Sequence, residues 1–263
     1  MPDSKTKIRP KIRLYVDMAY EAGEILHLEP AQSHFLAHVM RAREGDMIAV
    51  FNGRDGQWNA SVASIAKKQV TLRLDRQTQI QKYCPDVWLA FAPIKNKTEL
   101  VVEKAVELGV SRILPVFTRY AVVRSINHDK LSAHAVEAAE QCERHDVPPI
   151  SEYKDLAALL GAWPKDRVLL YADESGQGRD LKSVLADLSV PVPCAVLIGP
   201  EGGFAPDEQH MLRNAAFVKP FGMGPRILRA DTAAVAALAC VQAWLGDWRQ
   251  PPSFQPLAET TSL

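Results

Sequence analysis

From residue 87 onwards, two kinds of segment alternate along the chain, and each has its own pattern of hydrophobic and polar residues. Short apolar runs, as at 87–92 and 195–198, are typical of strands that are buried on both faces of a sheet. Between these runs, apolar residues recur three and four positions apart, as at Leu100 or Val101, then Ala105 and Leu108, which predicts amphipathic helices. This alternation favours an α/β domain whose mostly parallel sheet is covered by helices on both faces.

The α/β domain is expected to span 87–246. Its predicted strands are 87–92, 112–117, 167–172 and 195–198, with a further short strand ahead of Phe221. One helix is predicted from the capping residue Asn96 to Gly109, and others start after Ala205 or cover 129–144, 154–160, 180–188 and 232–245. Residues 247–263 contain Pro251, Pro252 and Pro256 and are expected to form a flexible tail.

Residues 1–76 have the pattern of a small, β-rich domain. Strands are predicted at 12–16, 47–52, 57–64 and 69–74, with hairpin-turn residues at 53–56. A single helix, 31–43, is expected to be stopped by Gly45. Several short strands with one helix suggest a compact barrel, and the polar segment 77–86 is expected to be the linker between the two domains.

Length and composition narrow the class of protein. A chain of 263 residues predicts about two domains, and a hydrophobic content of 47% is ample for buried cores. The four cysteines are far apart and form no Cys-x-x-Cys pair, which argues against zinc and against a disulfide framework and fits a reducing cytoplasm. No apolar run approaches the length that spans a bilayer, so we expect no membrane partner. Because the formal net charge is zero, any nucleic-acid site must be local.

Two glycine-rich loops lie where strands are predicted to end, and each leads into a helix. The first, GPEGGF, occupies 199–204, and the second, FGMGPRILR, occupies 221–229. Such loops expose backbone N–H and C=O groups to a ligand. Their spacing differs from the dinucleotide fingerprint, and Asp207 and Glu208 occupy the next helix start, where they would repel a phosphate. Because Glu201 adds negative charge, the loops suit a cationic ligand such as a sulfonium or an ammonium, and S-adenosylmethionine carries both.

Together the two loops resemble the signature of a known family. LIGPEGG at 197–203 and GPRILRADTA at 224–233 are similar to the motif pair of the bacterial ribosomal RNA uridine N3-methyltransferases, which belong to the SPOUT class. The resemblance continues through EKAVELGV at 103–110 and EQCER at 140–144. It implies a deep trefoil knot near the C-terminus, S-adenosylmethionine bound inside it, a homodimer, and a first domain similar to the RNA-binding PUA barrel. The chain departs from the family at Ala230 and Asp231, where Thr and Glu are common.

This resemblance implies methyl transfer from S-adenosylmethionine to N3 of a uridine in 16S ribosomal RNA of the small ribosomal subunit. Arg226 and Arg229 are expected beside the methyl group, where a guanidinium could stabilise charge on the uracil oxygens or bind a flanking phosphate. Alternatively, an arginine ties the loop to Glu201 or Asp231, and we expect this of at least one of the two. The proton acceptor stays open among Glu201, Asp231 and solvent. The expected cofactor-binding residues are Ala172, Ile198, Gly199, Pro200, Glu201, Gly202, Phe221, Gly222, Met223, Gly224, Ile227, Leu228, Arg229 and Thr232.

Basic residues near strand ends and turns are the expected RNA contacts. Lys95 and Lys97 follow the first strand of the α/β domain and Arg119 follows the second, at the edge where such sheets place their sites. The alternative for each residue is ordinary solvated surface, and for Arg119 also a structural ion pair. For Arg144 the alternative is a helix-capping role, and the family resemblance favours RNA contact instead. The full set is Arg9, Arg13, Arg41, Lys95, Lys97, Arg119 and Arg144. We expect no DNA partner and no metal.

Two other functions stay open from the sequence. One is a SPOUT enzyme whose target is a ribose hydroxyl or a guanine of transfer RNA, and the other is a catalytically silent RNA-binding protein that holds a ribosome assembly intermediate. The acidic helix start disfavours a nucleotide-dependent α/β enzyme. The alanine-rich helix 232–245 requires burial on more than one side, either in the core or in the subunit interface that the resemblance favours.

Overall fold

The computed structural model describes residues 10–66, 69–188 and 191–251. The expected RNA contact Arg9 and residues 252–263 of the expected tail lie outside this range. Between Tyr83 and Cys84 the chain divides into two compact units, and residues 139–146 group with the first unit.

The first unit contains a sheet in the strand order β1-β3-β4-β5-β2. β1 pairs with β3 in parallel and the other pairings are antiparallel. Its core joins Leu14, Leu36, Ile48, Val50 and Leu72. The elements are β1 (Ile12–Tyr15), β2 (Ile25–His27), α1 (Pro30–His34), a π-helix (Phe35–Val39), β3 (Met47–Phe51), β4 (Gln57–Ala66) and β5 (Gln69–Gln79).

Three details of the first unit differ from the sequence prediction. The predicted helix 31–43 ends early, because its second half is a π-helix and Arg41 takes a left-handed conformation with φ +53°. β2 was not predicted, since three residues are too few for a period to be read. β5 continues to Gln79, into the segment expected to be the linker, and β-bulges interrupt its pairing with β4.

The second unit contains a parallel sheet in the strand order β10-β12-β9-β11-β6-β7-β8. This agrees with the predicted α/β class. The elements are β6 (Val87–Phe91), α2 (Thr98–Glu107), β7 (Arg112–Phe117), α3 (His128–Gln141), β8 (Lys154–Asp155), α4 (Leu156–Gly161), β9 (Val168–Ala172), β10 (Arg179–Asp180), α5 (Leu181–Ala186), β11 (Cys194–Ile198), α6 (Pro206–Asn214), β12 (Val218–Gly222) and α7 (Ala230–Trp244). The last residues of α3 belong to the first unit.

β11 is the central strand of this sheet. All five of its residues are buried, and it pairs with β6 on one side and β9 on the other. α7 packs against β11, α2 and α5 through a stripe of small and apolar residues that includes Ala233, Ala237 and Val241. The fully apolar strand and the alanine-rich helix therefore form the middle of the second unit, next to both glycine loops.

Some predicted helix ends in the second unit are wrong. α2 begins at Thr98 with Lys97 as its N-cap, and Asn96 instead lies in a left-handed conformation with φ +60°. α3 ends at Gln141, three residues before the predicted end. The predicted end of α2 is confirmed, since Gly109 follows it with φ +73°.

Candidate active site

The ends of four parallel strands bring the two glycine loops to one edge of the sheet. The register aligns Ile198 of β11 with Phe91 of β6, and Phe221 of β12 with Ala172 of β9. Backbone hydrogen bonds extend this alignment past the strands, from Ala92 N–H to the Ile198 carbonyl at 3.0 Å and from Asp173 N–H to the Phe221 carbonyl at 2.9 Å. In open α/β sheets, this carboxyl edge is where ligands bind.

Close packing fixes the first loop, 199–204. Any Cβ on Gly199 would lie 2.5 Å from the ring of Phe204, which in turn packs edge-on against Tyr171 at 5.3 Å between centroids. Gly203 has φ +70° and donates to the Pro200 carbonyl at 3.0 Å, which closes a turn. The main chain of this loop is therefore held in a single path, with Glu201 and Gly202 exposed.

Two side-chain carboxylates, those of Asp207 and Glu208, occupy the N-terminus of α6. Glu208 is 6% exposed, and its two oxygens accept Ala205 N–H at 2.9 Å and Arg119 N–H at 2.8 Å. Asp207 pairs with the Arg119 guanidinium at 2.6 Å, with both side chains more than half exposed. This helix end is thus filled by acidic groups, as the sequence indicated, and does not suit a phosphate.

A third wall of the site comes from the end of β9. Asp173 is buried, accepts Ser175 N–H at 2.9 Å and pairs with Arg213 at 3.3 Å. Next to it, the Glu174 carboxylate accepts Phe204 N–H at 3.3 Å, and burial raises its pKa. The sequence analysis places Ala172 among the cofactor-binding residues but gives no role to Glu174, because a contact to a loop 30 residues away leaves no local signal.

The second loop, 221–229, is open to solvent after its buried first residue, Phe221. Gly224 has φ +86° with no atom within 4 Å of a Cβ built on it, and Ile227 is 95% exposed. Arg226 and Arg229 are also exposed, and neither forms an ion pair with another described residue. The expected tie of an arginine to Glu201 or Asp231 is absent from the ion pairs of the described residues, in which Asp231 binds a different cation.

That cation is Lys97. Its Nζ lies 2.5 Å from Asp231 Oδ2, and this hydrogen bond lowers the pKa of Asp231. Lys97 immediately precedes α2, and Asp231 lies in the first turn of α7. The sequence had assigned Lys97 to RNA and left the partner of Asp231 open.

The other expected RNA contacts are scattered over both units. In the first unit, Arg13 donates to Gln57 Oε1 at 2.9 Å and to the carbonyls of Ala139 and Arg144 at 2.8 and 2.6 Å. Arg144 is 9% exposed and binds Asp146 at 3.1 Å. These contacts give Arg13 and Arg144 structural roles in the first unit. Exposed cations in the set are Arg41 in the first unit, and Lys95 and Arg119 in the second. For Arg119 the alternative of an ion pair is confirmed, since its guanidinium binds Asp207.

Metal-binding clusters and membrane-spanning helices are both absent from residues 10–66, 69–188 and 191–251. Within these ranges no group of three or more His, Cys, Asp or Glu side chains could hold a metal ion. None of the described helices is both long and apolar enough to cross a membrane.

The class of protein follows from this site and from family matches. Residues 82–242 match the family model described as an RNA methyltransferase domain, and residues 28–75 match the RNA methyltransferase PUA domain. The chain is similar to ribosomal RNA small subunit methyltransferase E of Rickettsia conorii, with 33% identity over 214 residues, 80% of this chain and 85% of the relative. It is also similar to the Synechocystis protein of that name, with 30% identity over 83% of this chain and 73% of the relative. The chain belongs to the ribosomal RNA small subunit methyltransferase E family.

Two solved structures have a similar fold to this chain over almost its whole length. A methyltransferase from Legionella pneumophila, in complex with the cofactor SAM, is 29% identical with a TM-score of 0.80, covering 91% of this chain and 100% of that one. Ribosomal RNA small subunit methyltransferase E from Neisseria gonorrhoeae, bound to S-adenosylmethionine, has the same TM-score at 24% identity, over 90% and 99% of the two chains. At that identity the second structure supports the fold.

Proposed function

We propose that this protein transfers a methyl group from S-adenosylmethionine to N3 of a uridine in 16S ribosomal RNA of the small ribosomal subunit. The observation that carries the proposal is the convergence of two glycine loops at one sheet edge, in a chain of this methyltransferase family. The relative from Legionella pneumophila, which is 29% identical, contains the same cofactor.

The residues present fit this cofactor. The carboxyl edge of the sheet offers main chain from both loops, and close packing at Gly199 holds the first loop in place. Glu201 is an exposed carboxylate suited to a cationic ligand, whereas the acidic start of α6 opposes a phosphate. The proposed contacts are those expected from the sequence, namely Ala172, Ile198, Gly199, Pro200, Glu201, Gly202, Phe221, Gly222, Met223, Gly224, Ile227, Leu228, Arg229 and Thr232.

When bound, the cofactor supplies an electrophilic methyl group on a sulfonium. The chain must then hold a flipped uracil in line with that methyl and stabilise negative charge as N3 loses its proton. Arg226 and Arg229 have the charge and the exposure for stabilising the uracil oxygens. Glu201 is proposed as the proton acceptor, directly or through solvent.

Assembly and partners complete the proposal. In the single chain, α7 leaves Val235 at 38% and Trp244 at 40% exposed, which suits a homodimer formed through the second unit. A trefoil knot near the C-terminus is part of the same proposal. Lys95 and Arg41 are the proposed RNA contacts, and Arg119 would contact RNA only by exchanging its ion pair with Asp207 for a phosphate. A ribosomal substrate implies action in the cytoplasm.

The test is to incubate the protein with S-adenosylmethionine and unmethylated small ribosomal subunits, then map the modified nucleoside by mass spectrometry. We expect one N3-methyluridine in 16S RNA, with a lower kcat at saturating cofactor when Arg226 or Arg229 is replaced by Met. A ribose-methylated nucleoside or a methylated guanosine would assign a different target. If the protein neither methylates the subunits nor binds S-adenosylmethionine in calorimetry, it is instead a silent RNA-binding protein.

A further inference from the structure

The ion pair between Lys97 and Asp231 joins two segments of the second unit that are 134 residues apart in the chain. Its side chains are 35% and 18% exposed, so the pair is partly withdrawn from solvent. Partial burial weakens screening by salt and gives such a pair more effect on the structure than a fully exposed one.

Lys97 is presented by a turn with little freedom. The hydroxyl of Thr98 accepts Ile94 N–H at 2.9 Å and donates to the Ile94 carbonyl at 2.8 Å. Asn96 adopts a left-handed conformation, which asparagine tolerates better than most other non-glycine residues. The same turn is bonded through Ala92 to the carbonyl of Ile198, the residue before the first glycine loop.

Asp231 is tied to the other loop. α7 starts at Ala230, directly after the second glycine loop, and its N-cap Arg229 makes no side-chain capping bond. The Arg229 carbonyl accepts Ala233 N–H at 2.8 Å, so the loop passes straight into the helix. With no capping side chain, the interaction of Asp231 with Lys97 is the side-chain tether of this first turn among the described contacts.

We propose that Lys97 and Asp231 are positioning residues, which lock the exit of the second glycine loop against the β6–α2 turn so that both loops bind the cofactor together. The inference rests on the proposed function. It also removes Asp231 from the candidate proton acceptors, since a carboxylate held by an ammonium accepts a proton less readily. Lys97 accordingly acts within the protein rather than on RNA.

Calorimetry with S-adenosylhomocysteine tests the pair. Lys97→Met and Asp231→Asn are each expected to weaken binding about five- to tenfold, and the double variant no more than either one, because both remove one interaction. Lys97→Arg and Asp231→Glu keep the charges and are expected to restore most of the affinity. A thermal melt of each variant separates loss of binding from loss of fold.

Lys95→Met is the matched control, because Lys95 is exposed in the same turn. It should leave cofactor affinity unchanged while lowering RNA affinity and its salt dependence. If Lys97→Met behaves like Lys95→Met, Lys97 is an RNA contact and the inference is wrong. Failure of the unaltered protein to bind S-adenosylhomocysteine would instead overturn the proposed function, before any variant is compared.

The pH profile of kcat separates a positioning role of Asp231 from a proton-accepting one. At saturating cofactor, Asp231→Asn is expected to keep kcat within about tenfold, with an unchanged acidic limb, since loss of a general base costs about 10²- to 10⁴-fold. Loss of kcat on that scale together with the acidic limb would make Asp231 the base.

Discussion

A buried histidine, His145, lies in the first unit with 3% of its surface exposed. Burial, together with the nearby charge of Arg13, lowers its pKa from 6.5 to about 4. Its Nδ1 atom has no hydrogen-bond partner among the described residues. The neutral imidazole is therefore the form that the folded unit accepts.

This environment predicts a pH dependence of stability. The unfolded chain binds a proton at His145 from about pH 6.5 downwards, whereas the folded chain does so only near pH 4. Unfolding takes up that proton between the two values, so the free energy of unfolding should fall as pH drops through this window, by at most about 1.4 kcal/mol per pH unit. Urea titrations of the protein and of His145→Asn measure it, and an equal slope in both would contradict the assignment.

Single residues are also where the sequence was least informative. Arg13 is among the RNA contacts expected from the sequence, yet its guanidinium lies 3.8 Å from the Phe51 ring and donates to the carbonyls of Ala139 and Arg144. For Lys97 the sequence likewise predicts an RNA contact or solvated surface, whereas in the structure its ammonium pairs with Asp231. The partner of a charged side chain is fixed by the tertiary fold, and sequence spacing does not reveal it.

Elements, in contrast, were largely predictable. The apolar runs that became β6, β7, β9 and β11 carry their own signal, since a strand buried on both faces leaves no polar positions. The two-residue strands β8 and β10 were missed, because they exist only through pairing with β7 and β12. The grouping of residues 139–146 with the first unit was not predictable either, because it depends on contacts between distant residues. One of these is the hydrogen bond from Tyr15 N–H on β1 to the Glu140 carboxylate.

α7 carries the prediction about assembly. Val235→Glu or Trp244→Glu would place a charge on the helix surface proposed to face a second copy, and burying that charge without a partner is costly. Both variants should therefore be monomers by light scattering at concentrations where the unaltered protein is a dimer. Val39→Glu, at a valine of the first unit that is 59% exposed, is the control and should stay dimeric. Dimers in all three variants would remove α7 from the interface.

For the whole molecule, the central claim is that both glycine loops hold one cofactor at the carboxyl edge of the sheet. The motifs predict this site from the sequence, because both glycine loops follow apolar runs that are typical of buried strands. The contacts of Glu174 with Phe204 and of Lys97 with Asp231 could not be predicted from the sequence, since each joins residues that are distant in the chain.

A crystal structure of the full chain grown with S-adenosylhomocysteine tests that claim most directly. The account predicts the ligand between the two glycine loops, 199–204 and 221–229, next to Ala172, with the ion pair of Lys97 and Asp231 intact. Ligand bound elsewhere, with both loops empty, would contradict it.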